Sequence, residues 1–143
     1  MKEVKILYEV SPDIKSSFQT SRLMESICQK IAPRYGIELK LDLCDPFETS
    51  GLLERNTYDA LIMHLGQGGA GTYKFADSLR GTRMLVVAES SQADGAGGVK
   101  GDEVRAHFDA FILPISGHNG YSLERLLERK LLPWTKEEYP PQL

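Results

Sequence analysis

Two stretches of the chain are near copies of one another: Tyr58-Asp59-Ala60-Leu61-Ile62-Met63 and Phe108-Asp109-Ala110-Phe111-Ile112-Leu113. Each is an aromatic residue, an Asp and an Ala leading into an unbroken apolar run. Runs this short, closed by Gly or Pro, are too brief for a buried helix and suit strands covered on both faces. Such strands belong to parallel sheets, whose crossovers lay helices over each face. Met84-Leu85-Val86-Val87-Ala88 is a third run of the same kind. Ile37-Glu38-Leu39-Lys40-Leu41-Asp42-Leu43 instead alternates strictly, which places one face in the core and the other in water, as near a sheet edge.

Helical patterns fall between these strands. Residues 4–10 form a first strand, stopped by Ser11-Pro12-Asp13. A helix from about Asp13 or Ile14 to Ile31 follows, with Leu23, Met24, Ile27, Cys28 and Ile31 on one stripe and Pro33 and Gly36 ending it. A short helix with Phe47, Leu52 and Leu53 in the core precedes a strand at 59–65. A helix with Tyr73, Ala76 and Leu79 inward follows the glycine loop 66–71. The Ser-, Gly- and Asp-rich stretch 90–101 reads as a loop, 102–107 as a short helix and 109–113 as the last strand. A final helix, 122–132, buries Leu123, Leu126, Leu127 and Leu131. The order is (βα)5, which predicts a three-layer, doubly wound α/β domain over 1–133, with 134–143 as tail or linker. Right-handed crossovers and an edge position for the second strand predict a five-stranded parallel sheet in the order 2-1-3-4-5.

Bulk properties narrow the function. The 143 residues suffice for one core without metal or disulfide staples. The formal net charge is −3, and Arg125, Arg129 and Lys130 are interleaved with Glu124 and Glu128, so no basic patch invites nucleic acid. Cys28 and Cys44 stand apart, forming neither a disulfide framework nor, with three scattered His, a zinc set. A reduced cytoplasmic setting is expected. No run approaches the roughly 20 apolar residues of a membrane span.

In such sheets, ligands and chemistry gather beyond the carboxyl ends of the strands. There the chain offers Glu9, Val10, Ser11 and Asp13; His64 to Gly71; Glu89 to Ser91; and Leu113 to Ser116. At these positions the sequence resembles the receiver domain of response regulators over nearly its whole length. Tyr58 to His64 is similar to that family's third strand, which ends in the phosphoacceptor Asp. Met84 to Ser90 is similar to its fourth, ending at a switch hydroxyl, and Asp109 to Ile115 to its fifth, where a Lys precedes the Pro. The resemblance implies a flavodoxin-like fold and a signalling role. It also implies a loss. His64 stands for the nucleophile, Val10 and Ser11 for the acidic pair that holds Mg2+, Ala88 or Glu89 for the hydroxyl residue and Leu113 for the Lys. Mg2+ needs carboxylate oxygens, so the resemblance is to a pseudo-receiver without aspartyl phosphorylation, metal or cofactor.

Such a module acts through protein contacts. The face on which the resembled family switches and dimerises is carried here by Val104, Phe108, Phe111, Tyr121 and Arg125, and Trp134 is a further exposed candidate. A protein partner or a second copy is expected there. A different reading starts from Gly66-Gln67-Gly68-Gly69-Ala70-Gly71, which fits G-x-G-x-x-G between a strand and a helix, with Glu89 closing the next strand. That is the layout of a dinucleotide fingerprint, with backbone amides for a pyrophosphate and a carboxylate for the ribose. It falls after the third strand, however, where a Rossmann domain places it after the first. His64 is chemically versatile near neutral pH, but no neighbouring nucleophile or orienting carboxylate is evident in the sequence.

Overall fold

The computed structural model describes residues 2–10, 18–64, 70–79, 84–89, 107–112, 115 and 120–131; of 18, 19, 64, 70–73, 120, 121 and 130 it describes the backbone. In chain order these are β1 (Lys2–Glu9), α1 (Phe18–Tyr35), β2 (Ile37–Cys44), α2 (Thr49–Arg55), β3 (Ala60–His64), α3 (Ala70–Leu79), β4 (Leu85–Glu89), β5 (Ala110–Ile112) and α4 (Gly120–Leu126). A π-helical turn, Leu127–Leu131, continues α4. The strands form one sheet in the order β2-β1-β3-β4-β5, and every pairing is parallel. The expected fold class and strand order are therefore those observed.

Alternation along the central strands explains the two cores. Ile6 and Tyr8 of β1, Ile62 of β3 and Val87 of β4 face Met24, Ile27 and Ile31 of α1 and the leucines 123, 126, 127 and 131. Their neighbours Leu7, Leu61, Val86 and Ala88 face the other way, onto Ala76 of α3 and the partly buried Leu52, Leu53 and Leu79. Each strand residue thus has an apolar layer to enter, which is why these runs carry no polar residue. Burying one such Leu or Ile fully contributes about 1.5–3 kcal/mol. On β2 the pattern changes: Glu38 is exposed while Leu39, Leu41 and Leu43 are partly buried against the α1 side.

The copied segments start β3 and β5 in the same way. The Asp59 N–H donates to the Lys5 carbonyl (2.8 Å) while Asp59 Oδ2 accepts from the Lys5 N–H (2.8 Å). At the other copy, the Asp109 N–H donates to the Val86 carbonyl (2.8 Å) and Asp109 Oδ2 accepts from the Val86 N–H (2.9 Å). Each Asp therefore satisfies both backbone groups of one residue on the adjacent strand. The aromatic before it, Tyr58 or Phe108, is buried, as is the Ala after it.

Four local expectations change. Leu23, read with the buried α1 stripe, is 38% exposed, lying about 100° around the helix from Met24. α1 runs through Pro33 to Tyr35 and stops at Gly36, whose φ of 63° is the left-handed conformation favoured by glycine. A proline in the last turn forfeits only its own N–H bond, so the chain ends where glycine permits the reversal. Phe47 is 91% exposed rather than in the core. Asp45 Oδ1 accepts from the N–H groups of Phe47 (2.9 Å) and Glu48 (3.1 Å), an Asx turn that directs Thr49, not Phe47, inward. Phe108, expected on a contact face, is buried and meets Phe111 edge-on at 5.9 Å, because the residue before the Asp points into the α3 layer.

Asp59→Ala and Asp109→Ala should each cost about 1–3 kcal/mol, the penalty for orphaning a sequestered N–H. Urea unfolding monitored by circular dichroism measures it, and the two losses should match within experimental error.

Candidate functional site

Parallel pairing brings the carboxyl ends of β1, β3 and β4 to one edge of the sheet. β3 ends at His64, whose backbone is in register with Glu89 at the end of β4. β1 ends at Glu9. Both carboxylates are buried, Glu9 at 7% and Glu89 at 4% exposure. Buried carboxylates need hydrogen-bond partners, and each has one from a hydroxyl. On the α2 side, Thr49 Oγ1 at the start of α2 donates to Glu9 Oε2 (2.7 Å), with Cys44 Sγ 3.5 Å from the same hydroxyl. On the opposite side, the Tyr8 hydroxyl donates to Glu89 Oε2. Tyr8 and Glu9, adjacent in sequence, thus serve two polar clusters on the two faces of the sheet.

Burial governs the chemistry of these groups. It pushes Glu89 up to about 7, so this carboxyl changes its protonation near neutral pH. It also pushes the Cys44 thiol up to about 11, outweighing the hydrogen bond from Thr49, and the Cys28 thiol to about 11, with the charge of Glu25 adding to the effect. Neither cysteine is therefore a nucleophile at neutral pH.

The expected site residues do not all converge. Val10 is buried in the α1-side core and its N–H donates to the Cys44 carbonyl (2.8 Å), whereas Ala88 is buried in the other core. They lie on opposite faces of the sheet. His64 and Glu89 are brought together in register at the strand ends. Gly71 lies in the first turn of α3. Ser11, Gly66, Gly68, Val104, Leu113 and Trp134 lie outside the described residues. On the expected contact face, Phe111 is partly buried, Arg125 is exposed and Tyr121 is in the first turn of α4. Among the described residues, no three His, Cys, Asp or Glu side chains are grouped to hold a metal ion, and no helix is long and apolar enough to cross a membrane.

Sequence reasoning missed Thr49 and Tyr8. A Thr opening a helix reads as an ordinary cap, and a Tyr in an apolar strand as core. The available signal was that Glu9 and Glu89 each close an apolar strand, which requires a donor nearby; the identity of a donor 40 or 81 residues distant in sequence is set by topology.

The same layout recurs in solved structures of other proteins. A CheY-like response regulator receiver domain protein from Methanospirillum hungatei superposes with a TM-score of 0.56 at 17% identity, covering 92% of this chain and 96% of its own. The response regulator TrrA from Thermotoga maritima, in complex with Mg2+-BeF, gives 0.55 at 12% identity, covering 90% and 98%. Type II dehydroquinase from Propionibacterium acnes gives 0.50 at 14% identity, covering 86% and 94%. No protein-family model matches the chain, and no curated protein matches it. The chain has a CheY-like, flavodoxin-like fold, and an enzyme is among the proteins sharing that layout.

Glu89 makes stability depend on pH. Its folded pKa, about 7, lies above the ordinary 4.5, so the native state holds the proton more tightly. Its contribution is fully present below about pH 4.5 and lost as pH rises through about 7, a change of at most about 3 kcal/mol. Glu89→Gln should flatten that portion of the profile, as measured by urea unfolding at pH 5 and pH 8. In the native protein, Cys28 and Cys44 should resist a thiol reagent at pH 7.5 and react once urea unfolds the chain.

Proposed function

We propose that the chain is a non-catalytic pseudo-receiver: a regulatory module in the cytoplasm that signals through protein contacts, independently of aspartyl phosphorylation. The observation that carries this reading is the placement of His64 as the last residue of β3 in a CheY-like fold, the strand end at which the resembled family presents its phosphoacceptor. The acids that do occur at neighbouring strand ends support it. Glu9 is turned to Thr49 and Glu89 to Tyr8, on opposite faces of the sheet, an arrangement unlike a shared Mg2+ site, which gathers carboxylates around one ion. A histidine in place of Asp also forms no acyl phosphate.

The contact face of this module is the β5–α4 side, with Phe111 on β5, Arg125 on α4 and Tyr121 in the first turn of α4; Val104 and Trp134 lie outside the described residues. The glycine-loop reading is the weaker one, because Glu89, its ribose-binding carboxylate, is buried and bonded to Tyr8.

The test is a two-dimensional NMR titration of the full chain with beryllofluoride and Mg2+. Amide shifts at Glu9, Val10, His64 and Glu89 should stay unchanged, within line width. Saturable shifts at these positions would show a working phosphoryl pocket and sink the proposal.

A further inference from the structure

The opposite edge of the sheet carries a second surface. β2 is the terminal strand, bonded to β1 along eight residues and, among the described residues, to no other strand. Such an edge presents a row of main-chain donors and acceptors, and natural proteins usually blunt it with a proline, a bulge or charge. From Ile37 to Cys44 there is no Pro or Gly and the register with β1 is continuous, so of these devices the strand carries charge alone, at Glu38, Lys40 and Asp42. A groove of about 840 Å³ runs along this strand, with Glu25, Cys28, Ala32 and Pro33 of α1 as its other wall.

The charges on the strand point to what fits there. Glu38, Lys40 and Asp42 occupy one face in the sign order minus, plus, minus, while Ile37, Leu39, Leu41 and Leu43 occupy the other. In an antiparallel pair, residues directly opposite share a face. Two copies paired about Leu41 place Lys40 opposite Asp42 of the second copy, and Asp42 opposite its Lys40. The same register sets Leu39 against Leu43 and Leu41 against itself. Pairing about Lys40 instead opposes Lys40 to Lys40 and Glu38 to Asp42, which is repulsive. Pairing about Leu39 also sets Glu38 against Lys40, but it aligns only residues 37–41 of the two strands, whereas pairing about Leu41 aligns 38–44; charge excludes the Lys40 register and the longer ladder favours Leu41.

Lys40 already lies 3.3 Å from Glu3, and Asp42 accepts from the Tyr58 hydroxyl at 2.9 Å, so both charges have on-chain supports.

We propose that the β2 edge is a homodimer interface, in which antiparallel pairing about Leu41 joins two five-stranded sheets into one. It goes beyond the pseudo-receiver reading, uses the other edge of the sheet, and stands or falls independently.

Sedimentation of the full chain at micromolar concentrations should show a dimer. Lys40→Glu and Asp42→Lys should each weaken it by about tenfold or more, since each turns two cross-strand attractions into repulsions. Mixed together, these two variants should recover dimer. In the mixed pair the introduced glutamate of one copy meets the introduced lysine of the other, and the unaltered Asp42 and Lys40 still face each other. Both single variants should keep the wild-type circular dichroism spectrum, which separates contact loss from misfolding. A wild-type monomer throughout, a dimer indifferent to Lys40→Glu, or a mixture that stays monomeric while both variants remain folded would each overturn the proposal.

Discussion

A strand buried on both faces has no water to satisfy its first backbone groups, and in this sheet two aspartates meet that demand. Asp59 and Asp109 each bond both the N–H and the C=O of one residue on the neighbouring strand, at the point where β3 and β5 enter the sheet. These contacts set where β3 starts beside β1, and β5 beside β4. Register in turn decides which residues reach each core: Leu61 goes to the α3 side and Ile62 to the α1 side. A shift by one residue would exchange the layers and misplace every partner at the carboxyl ends. The polar contacts at one end of the sheet therefore position the candidate site at the other.

That dependence explains what was legible in the sequence. The repeated aromatic-Asp-Ala-apolar segments, the strict alternation of 37–43 and the intervening helical stripes are local patterns, and the sheet order follows from them by general rules of crossover and edge placement. Local patterns also locate His64, Glu9 and Glu89 at strand ends. They do not say that Glu9 bonds Thr49 and Glu89 bonds Tyr8, since those contacts join elements far apart in the chain. Phe47 shows the opposite limit. Its hydrophobicity argues for the core, but the side chain of Asp45, two residues earlier, captures the turn and sends it outward. Pro33 was readable as a helix stop because proline disrupts helix interiors, yet in the last turn its cost is small and Gly36 sets the end.

The two buried glutamates bear differently on function. In a sheet whose carboxyl edge does phosphoryl chemistry, acids converge on a cation and stay ionised. Here Glu9 and Glu89 diverge, one to each face, and burial raises Glu89 until it is neutral for part of the physiological range. A neutral carboxyl bonded to a phenol is a far weaker electrostatic element than an ionised pair around Mg2+. The shared layout of receivers and a dehydroquinase shows that the scaffold alone selects neither role. What supports the proposed contact role is the turning of Glu9 and Glu89 to opposite faces, not the fold.

The five-stranded order leaves two edges with different characters. β5 is three residues long, too short to template another strand far, and its neighbourhood offers side chains: Phe111 and Arg125. β2 is eight residues long and offers main chain, a groove and a self-complementary run of charges. Side-chain surfaces of the first kind read a partner's shape and sequence, whereas main-chain edges of the second kind take any extended segment and need charges to choose among them. The minus, plus, minus pattern on β2 rejects pairing about Lys40, and the longer ladder favours pairing about Leu41 over Leu39. The pairing proposed at β2 does not reach β5, because β1, β3 and β4 separate the two edges.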